Sequence, residues 1–316
     1  MNYPDNSAKL AHVKPQIKLT DVSPNDKTWD VHRAHADTIQ SYYHSDPWTR
    51  KKAERVRQCA QALQFAWVQD EQTGECRIKL YNTQFCRVRH CPVCEWRKSM
   101  RWKARFYQAI PEIMAEYPTA RFLFLTLTVR NCRVDDLRET IRWMNHAWQK
   151  FIQRRRIAKQ VQGWIRATEV TKNPRDDTAH PHFHCFLMVP ASYFNGQGYI
   201  KADDWREMWR QSLQVNYTPQ INVKPVKEVN KGIKEVLKYS AKPQQLAQDK
   251  DWFLEFASQV HKLRFMASGG ALKHVLKDHV SKEEMIHTES EDGAGEELEP
   301  GPVFDWYSSQ KHYYLR

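Results

Sequence analysis

The stretch His180–Val189, HPHFHCFLMV, decides how the rest of the chain reads. In an extended strand, residues two apart project from the same face, so His182 and His184 point to one side while Phe183, Cys185, Leu187 and Val189 point to the other. One face is apolar and must be covered; the other presents two imidazoles side by side. Just upstream, Trp164–Val170 (WIRATEV) reads as a second strand, and the polar, proline-containing Lys172–Pro181 (KNPRDDTAHP) joins the two as an antiparallel pair with a long connection. Arg121–Val129 (RFLFLTLTV) is short, apolar and rich in aromatic and β-branched residues, the composition of a central buried strand.

Outside these strands the periodicity changes. Trp96, Met100, Ala104, Tyr107, Ile110, Met114 and Tyr117 recur at three- and four-residue steps, which predicts a long amphipathic helix whose other face is basic. Asp135 and Asp136 suit a helix start, and Leu137, Ile141, Met144, Trp148 and Ile152 continue it as one apolar stripe. That stripe ends near Arg154, Arg155 and Arg156, a run expected to face solvent or phosphate. Trp205, Met208, Trp209 and Leu213 mark another helix. Ile221–Val226 reads as a strand interrupted by Pro225, and Gly232–Lys242 as a helix stopped by Pro243. The order is mixed and predicts an α+β fold.

Lys and Arg number 49 against 37 Asp and Glu, a net charge of +12, so the surface potential should attract a polyanion and nucleic acid is the leading partner class. No run approaches the ~18 to 20 apolar residues of a membrane helix, and the start of the chain lacks the pattern of a secretory leader, so a cytoplasmic location without a membrane partner is expected.

Three constellations could carry chemistry. The first is the His182–His184 pair, which could hold one divalent ion, with Glu169 on the neighbouring strand as a third ligand if the register brings it to the same face. Open coordination positions would accept a phosphate. His180 offers a competing pair. The second is Glu235-x3-Tyr239 in GIKEVLKYSAKP, where helical spacing puts carboxylate and phenol on one face with Lys238 and Lys242 close by. Flanking cations and a metal lower the cost of a phenolate nucleophile, and Glu235 could serve as a base for water. The third is Cys86-x4-Cys91-x2-Cys94, whose tight spacing among seven cysteines fits zinc thiolates better than disulfides. Cys59, Cys76 and His90 are all open as a fourth ligand. Arg97, Lys98 and Arg101 on the following helix, with Trp96 and Trp102 among them, are candidates for DNA contact.

Taken together, FCRVRHCPVCEWRKS (85–99), FLFLTLT (122–128), EVTKNPRDDTAHPHFHCFLMVPASYF (169–194), DDWREMWR (203–210) and EVLKYSAK (235–242) resemble, in order, plasmid rolling-circle replication initiators of the His-hydrophobe-His (HUH) superfamily whose catalytic helix carries a Glu-x3-Tyr pair. The resemblance spans about Cys59 to Lys242. It implies a central antiparallel sheet flanked by helices, an RRM-like or ferredoxin-like core. It further implies that Tyr239 is the nucleophile, that Glu235 activates water at termination, and that His182 and His184 ligate Mg2+ or Mn2+. Glu169 matches a family glutamate. A family cysteine ahead of a short strand matches Cys59 before LQFAW, which favours Cys59 over Cys76 as the fourth Zn2+ ligand, and His180 falls outside the pattern as a bystander.

The implied partners are single-stranded or cruciform origin DNA, a host helicase and a DNA polymerase. An HUH transposase or relaxase shares the same chemistry on other DNA, and a non-catalytic zinc-dependent DNA-binding protein would keep the His pair and Tyr239 as structure only. The expected organisation is a loosely ordered arm over 1–50, a zinc-knuckle and basic-helix region over 51–118, a nicking domain over 119–282, and an acidic flexible tail over 283–316.

Overall fold

In a computed structural model, which describes residues 17–69, 74–196, 198–237, 246–275, 281–286 and 299–316, the chain folds into two antiparallel sheets flanked by helices. In chain order the principal elements are α1 (Lys27–Ser45), α2 (Arg50–Arg57), β1 (Ala62–Gln69), β2 (Cys76–Thr83), α3 (Pro92–Glu116), β3 (Ala120–Thr128), α4 (Leu137–Ile152), β4 (Gly163–Lys172) and β5 (Ala179–Pro190). They continue with α5 (Ala202–Leu213), β6 (Ile221–Pro225), α6 (Val229–Val236), α7 (Lys250–Gln259), β7 (Met266–Gly270), α8 (Lys282–Ile286), β8 (Val303–Tyr307) and β9 (His312–Leu315). Among the described residues no helix is long and apolar enough to cross a membrane.

The larger sheet has the order β6-β3-β5-β4-β7, so the strand with the two histidines is central. Strict alternation along it splits the core in two. Phe183, Cys185, Leu187 and Val189 pack under α4 and α5 with Trp148, Phe151, Trp205 and Trp209. Phe186 and Met188 share the histidine face and pack with Phe106, Phe122, Ile165 and Ile233. Burying a full side chain of this size is worth about 1.5–3 kcal/mol, so a one-residue slip, which would turn every side chain to the wrong face, is strongly disfavoured. Pro225 ends the edge strand β6, where a missing N–H costs no ladder bond.

A second sheet, β2-β1-β8-β9, revises the expected organisation. The stretch 283–316 was expected to be a flexible acidic tail, yet β8 pairs with β1, and Phe304 and Tyr313 are fully buried. The expected loose arm contains α1, a helix that buries Trp29, Arg33, Ile39 and Tyr43. The two ends are clasped together: Asp30 accepts from the Tyr313 amide at 3.0 Å and pairs with His312 at 2.8 Å, while Asp37 accepts from the Trp306 indole at 2.8 Å. Composition misled because the apolar residues here (FDWY, HYYL) are few per strand and their burial partners lie more than 200 residues away in sequence.

Candidate active site and metal centres

β4 and β5 run antiparallel with Glu169 opposite His182 and Ala167 opposite His184. Directly paired residues share a face, so the register puts the carboxylate beside the imidazoles. The Glu169 Oε2 lies 2.8 Å from His184 Nε2 and 3.5 Å from His182 Nε2, and the two Nε2 atoms are 3.2 Å apart. Burial would raise the Glu169 carboxyl, but the imidazoles of His182 and His184 beside it outweigh that and hold the group below the usual carboxylate range. Three ligand atoms converging this closely fit a small divalent cation.

The outer nitrogens are also held. His182 Nδ1 lies 3.2 Å from the His180 carbonyl oxygen, to which it donates, leaving Nε2 as the acceptor at the centre. His184 Nδ1 meets Thr126 Oγ1 at 3.3 Å across the β3–β5 ladder, where the two residues are register partners. His180 does not join the cluster: its Nδ1 pairs with Asn131 Oδ1 at 2.7 Å. Sequence reasoning missed Thr126. The available signal was the LTLT alternation of 125–128, which puts two threonines on one face of an otherwise apolar strand.

The helix α6 covers part of the same face. A Cβ at Gly232 would come within 3.0 Å of the Phe186 ring and 2.7 Å of Val226, so glycine lets the helix backbone settle close to β5. Ile233, Val236 and Leu237 are buried in the histidine-side core. Glu235 lies on this helix, though its side chain is not described, and Lys238, Tyr239 and Lys242 lie outside the described residues.

The second cluster is built by the turn after β2, the start of α3 and the residues after α2. Cys59 Sγ lies 3.5 Å from the Cys94 sulfur and 3.7 Å from that of Cys91, and Cys86 Sγ lies 3.6 Å from that of Cys94. A tetrahedron with bonds of about 2.3 Å has edges of about 3.8 Å, so the four sulfurs match a four-cysteine metal site. Left-handed backbone at Arg87 and His90 folds the turn, and the amides of Cys86, Arg87 and Val88 donate to sulfur at 3.3–3.4 Å. Hydrogen bonds from the other thiols hold Cys86 low, while Cys59 and Cys94 are pushed up by sharing protons with a neighbouring thiolate. Ionising all four together calls for a cation. Cys76 is exposed at the start of β2, and His90 is buried against Phe253 and Phe256, so neither belongs to the cluster.

The arginines suggested for DNA contact fall elsewhere. Arg97 is buried, donates to the carbonyls of Met285 and Ile286 at 2.7 and 2.6 Å, and lies over Trp29 and Trp96. Lys98 sits 4.6 Å above the Trp102 ring, and Arg101 lies 3.5 Å from Glu284. Arg154 donates to Ser212 and Gln211, and Arg156 to Tyr199 and Asp204; Arg155 and Arg156 are both exposed. This run flanks Ile157, which packs into the core on the sheet face opposite the histidines.

Residues 77–314 match the model of a family described as replication protein. A protein named "Protein rep" from Streptococcus pneumoniae is 33% identical over 83% of this chain and 84% of its own length. Its namesake from Lactiplantibacillus plantarum is 32% identical over 84% and 88%, and that from Lentilactobacillus hilgardii 30% identical over 94% and 98%. No solved structure matches.

Proposed function

Because the chain belongs to the replication protein family, we propose that it initiates and terminates plasmid rolling-circle replication as a site-specific DNA nicking and joining enzyme of the HUH type. The observation that carries this reading is the convergence of Glu169, His182 and His184 on a sheet face that the Glu235 helix also covers.

Glu169, His182 and His184 would hold Mg2+ or Mn2+, which would supply polarisation of the scissile phosphate. Tyr239, four residues beyond Glu235, is the nucleophile: its phenolic oxygen bonds to phosphorus as the bond to the 3′-oxygen breaks. The 3′-oxygen takes up a proton and becomes the primer hydroxyl for a host polymerase, while a host helicase opens the duplex. The 5′-phosphate stays on Tyr239, conserving the bond for rejoining. At termination Glu235 takes a proton from water, so that the second cleavage leaves no trapped protein. Cys59, Cys86, Cys91 and Cys94 hold a structural Zn2+.

The test is incubation with single-stranded oligonucleotides tiling the parent plasmid's origin, with manganese, comparing wild type with Tyr239→Phe on a denaturing gel. A covalent band lost in the variant supports the reading, and a band that persists reassigns the nucleophile. Salt-sensitive binding without any band would favour a non-catalytic DNA-binding protein.

A further inference from the structure

The two flanks of the histidine centre differ in charge. Beyond the β4–β5 turn, a cleft is lined by Asp135, Asp176, Asp177 and Glu255, and Arg133 is the one cation among its described lining residues. Arg133 is itself paired with Asp135 at 2.7 Å. Lys172, nearby, is bound to Asp177 and Asp249 at 2.7 and 2.5 Å. This flank repels a polyanion.

The β6 side is the reverse. β6 is an edge strand that pairs with β3, placing Asn222 opposite Thr126 and Lys224 opposite Phe124. Thr126 and Phe124 in turn stand opposite His184 and Phe186. Paired residues share a face, so Asn222, Thr126 and His184 form one row and Lys224, Phe124 and Phe186 the next. At about 4.8 Å per strand, Asn222 is roughly 10 Å from His184. Asn222 and Lys224 are both exposed, and Lys224 has no ion-pair partner among the described residues. Phe124 is half-buried, its ring 5.4 Å from that of His184. Where β3 ends, the exposed Arg130 lies 4.2 Å over the Tyr217 ring, and its amide donates to the Tyr217 hydroxyl at 3.3 Å.

Cations beside partly exposed rings are the recipe for holding single strands, with phosphates meeting charge and bases meeting a flat apolar surface. We propose that single-stranded DNA reaches the His182–His184 centre across the β6 edge, its backbone held by Lys224 and Arg130 and its bases resting against Phe124 and Tyr217. This path rests on the nicking reading for its substrate, and the acidic cleft at the β4–β5 turn disfavours approach from that side.

The test measures binding of a fluorescein-labelled, mixed-sequence single-stranded 25-mer by anisotropy across a salt series. It compares wild type, the double variant Arg130→Ala/Lys224→Ala, and Arg175→Ala, which removes an exposed cation from the acidic side. Losing two phosphate contacts lowers the slope of log K against log salt by about 1.4 and weakens binding roughly 10- to 30-fold at 0.1 M salt, with Arg175→Ala unchanged. A double variant that binds like wild type, an equal loss in Arg175→Ala, or a wild type without affinity for the single strand overturns the path. The Tyr239→Phe adduct assay fails independently. Loss of binding in the double variant without any adduct in wild type keeps the surface and sinks the nicking chemistry; an adduct formed equally well by the double variant at sub-saturating DNA does the opposite.

Discussion

Glu169 stands directly opposite His182 in the β4–β5 ladder, yet its carboxylate reaches past that partner to lie nearer His184, at 2.8 Å against 3.5 Å. One oxygen thus faces two imidazole nitrogens from the neighbouring strand. Exchange of Glu169 for Gln keeps the shape and removes the charge. Glu169→Gln is expected to weaken Mn2+ binding, read by loss of the free-ion EPR signal on titration, while leaving the thermal unfolding midpoint close to wild type. Unchanged Mn2+ affinity would remove Glu169 from the metal site.

Thr126 acts one step further out, through His184 Nδ1. Thr126→Val preserves volume and β-branching but deletes the hydroxyl that fixes the ring. Loss of such a partner costs roughly 10- to 100-fold in metal affinity. The expected result is a weaker Mn2+ titration than wild type, with Thr126→Ser retaining most of the affinity. Equal loss in the Ser variant would mean that packing, not the hydroxyl, matters.

Removing the thiolate cluster should act on folding. Cys59→Ser, or a strong chelator under reducing conditions, is expected to abolish a near-stoichiometric metal measured by elemental analysis. It should also lower the unfolding temperature by several degrees, as a loss of about 3 kcal/mol would do. Full metal content in Cys59→Ser would return the fourth position to another residue.

Acid should destabilise the N-terminal packing. Burial lowers His32 to about 4, with His35 adding to the effect, from an ordinary value of 6.5. The unfolded chain therefore binds a proton that the folded one refuses. Stability present above pH ~6.5 is lost as pH falls through the interval down to about 4, by roughly 3 kcal/mol. Urea midpoints at pH 7.5 and 5 measure this. His32→Gln should flatten the dependence in part, because the buried His90, also held well below its usual value, contributes with the same sign.

The C-terminal strands should behave as core. Tyr313 is fully buried, and its hydroxyl donates to the Ala60 carbonyl. Tyr313→Ala should cost about 3–5 kcal/mol in denaturant unfolding. Deleting residues 299–316 exposes one edge of β1 and should drive aggregation, read by light scattering. A soluble, undestabilised truncation would contradict the second sheet.

The local pattern of residues determined a good deal by itself. Alternation along HPHFHCFLMV assigned faces, helical periodicity located α3, α4 and α5, and the α+β class followed from their order. Motif order pointed to the replication protein family, which the match over 77–314 bears out. Tertiary structure decided what depends on register and on distant pairing. Whether Glu169 met the histidines turned on a β4–β5 register that spacing alone left open. Which residue would join the three clustered cysteines depended on chain geometry around Cys59, 27 residues before Cys86. The arm looked loosely ordered and the tail flexible because each is too short and too polar to bury a core alone. Together, with Asp30 and Asp37 anchoring β8 and β9, they make one, since the burial of an apolar face is a property of the pair and is written in neither segment.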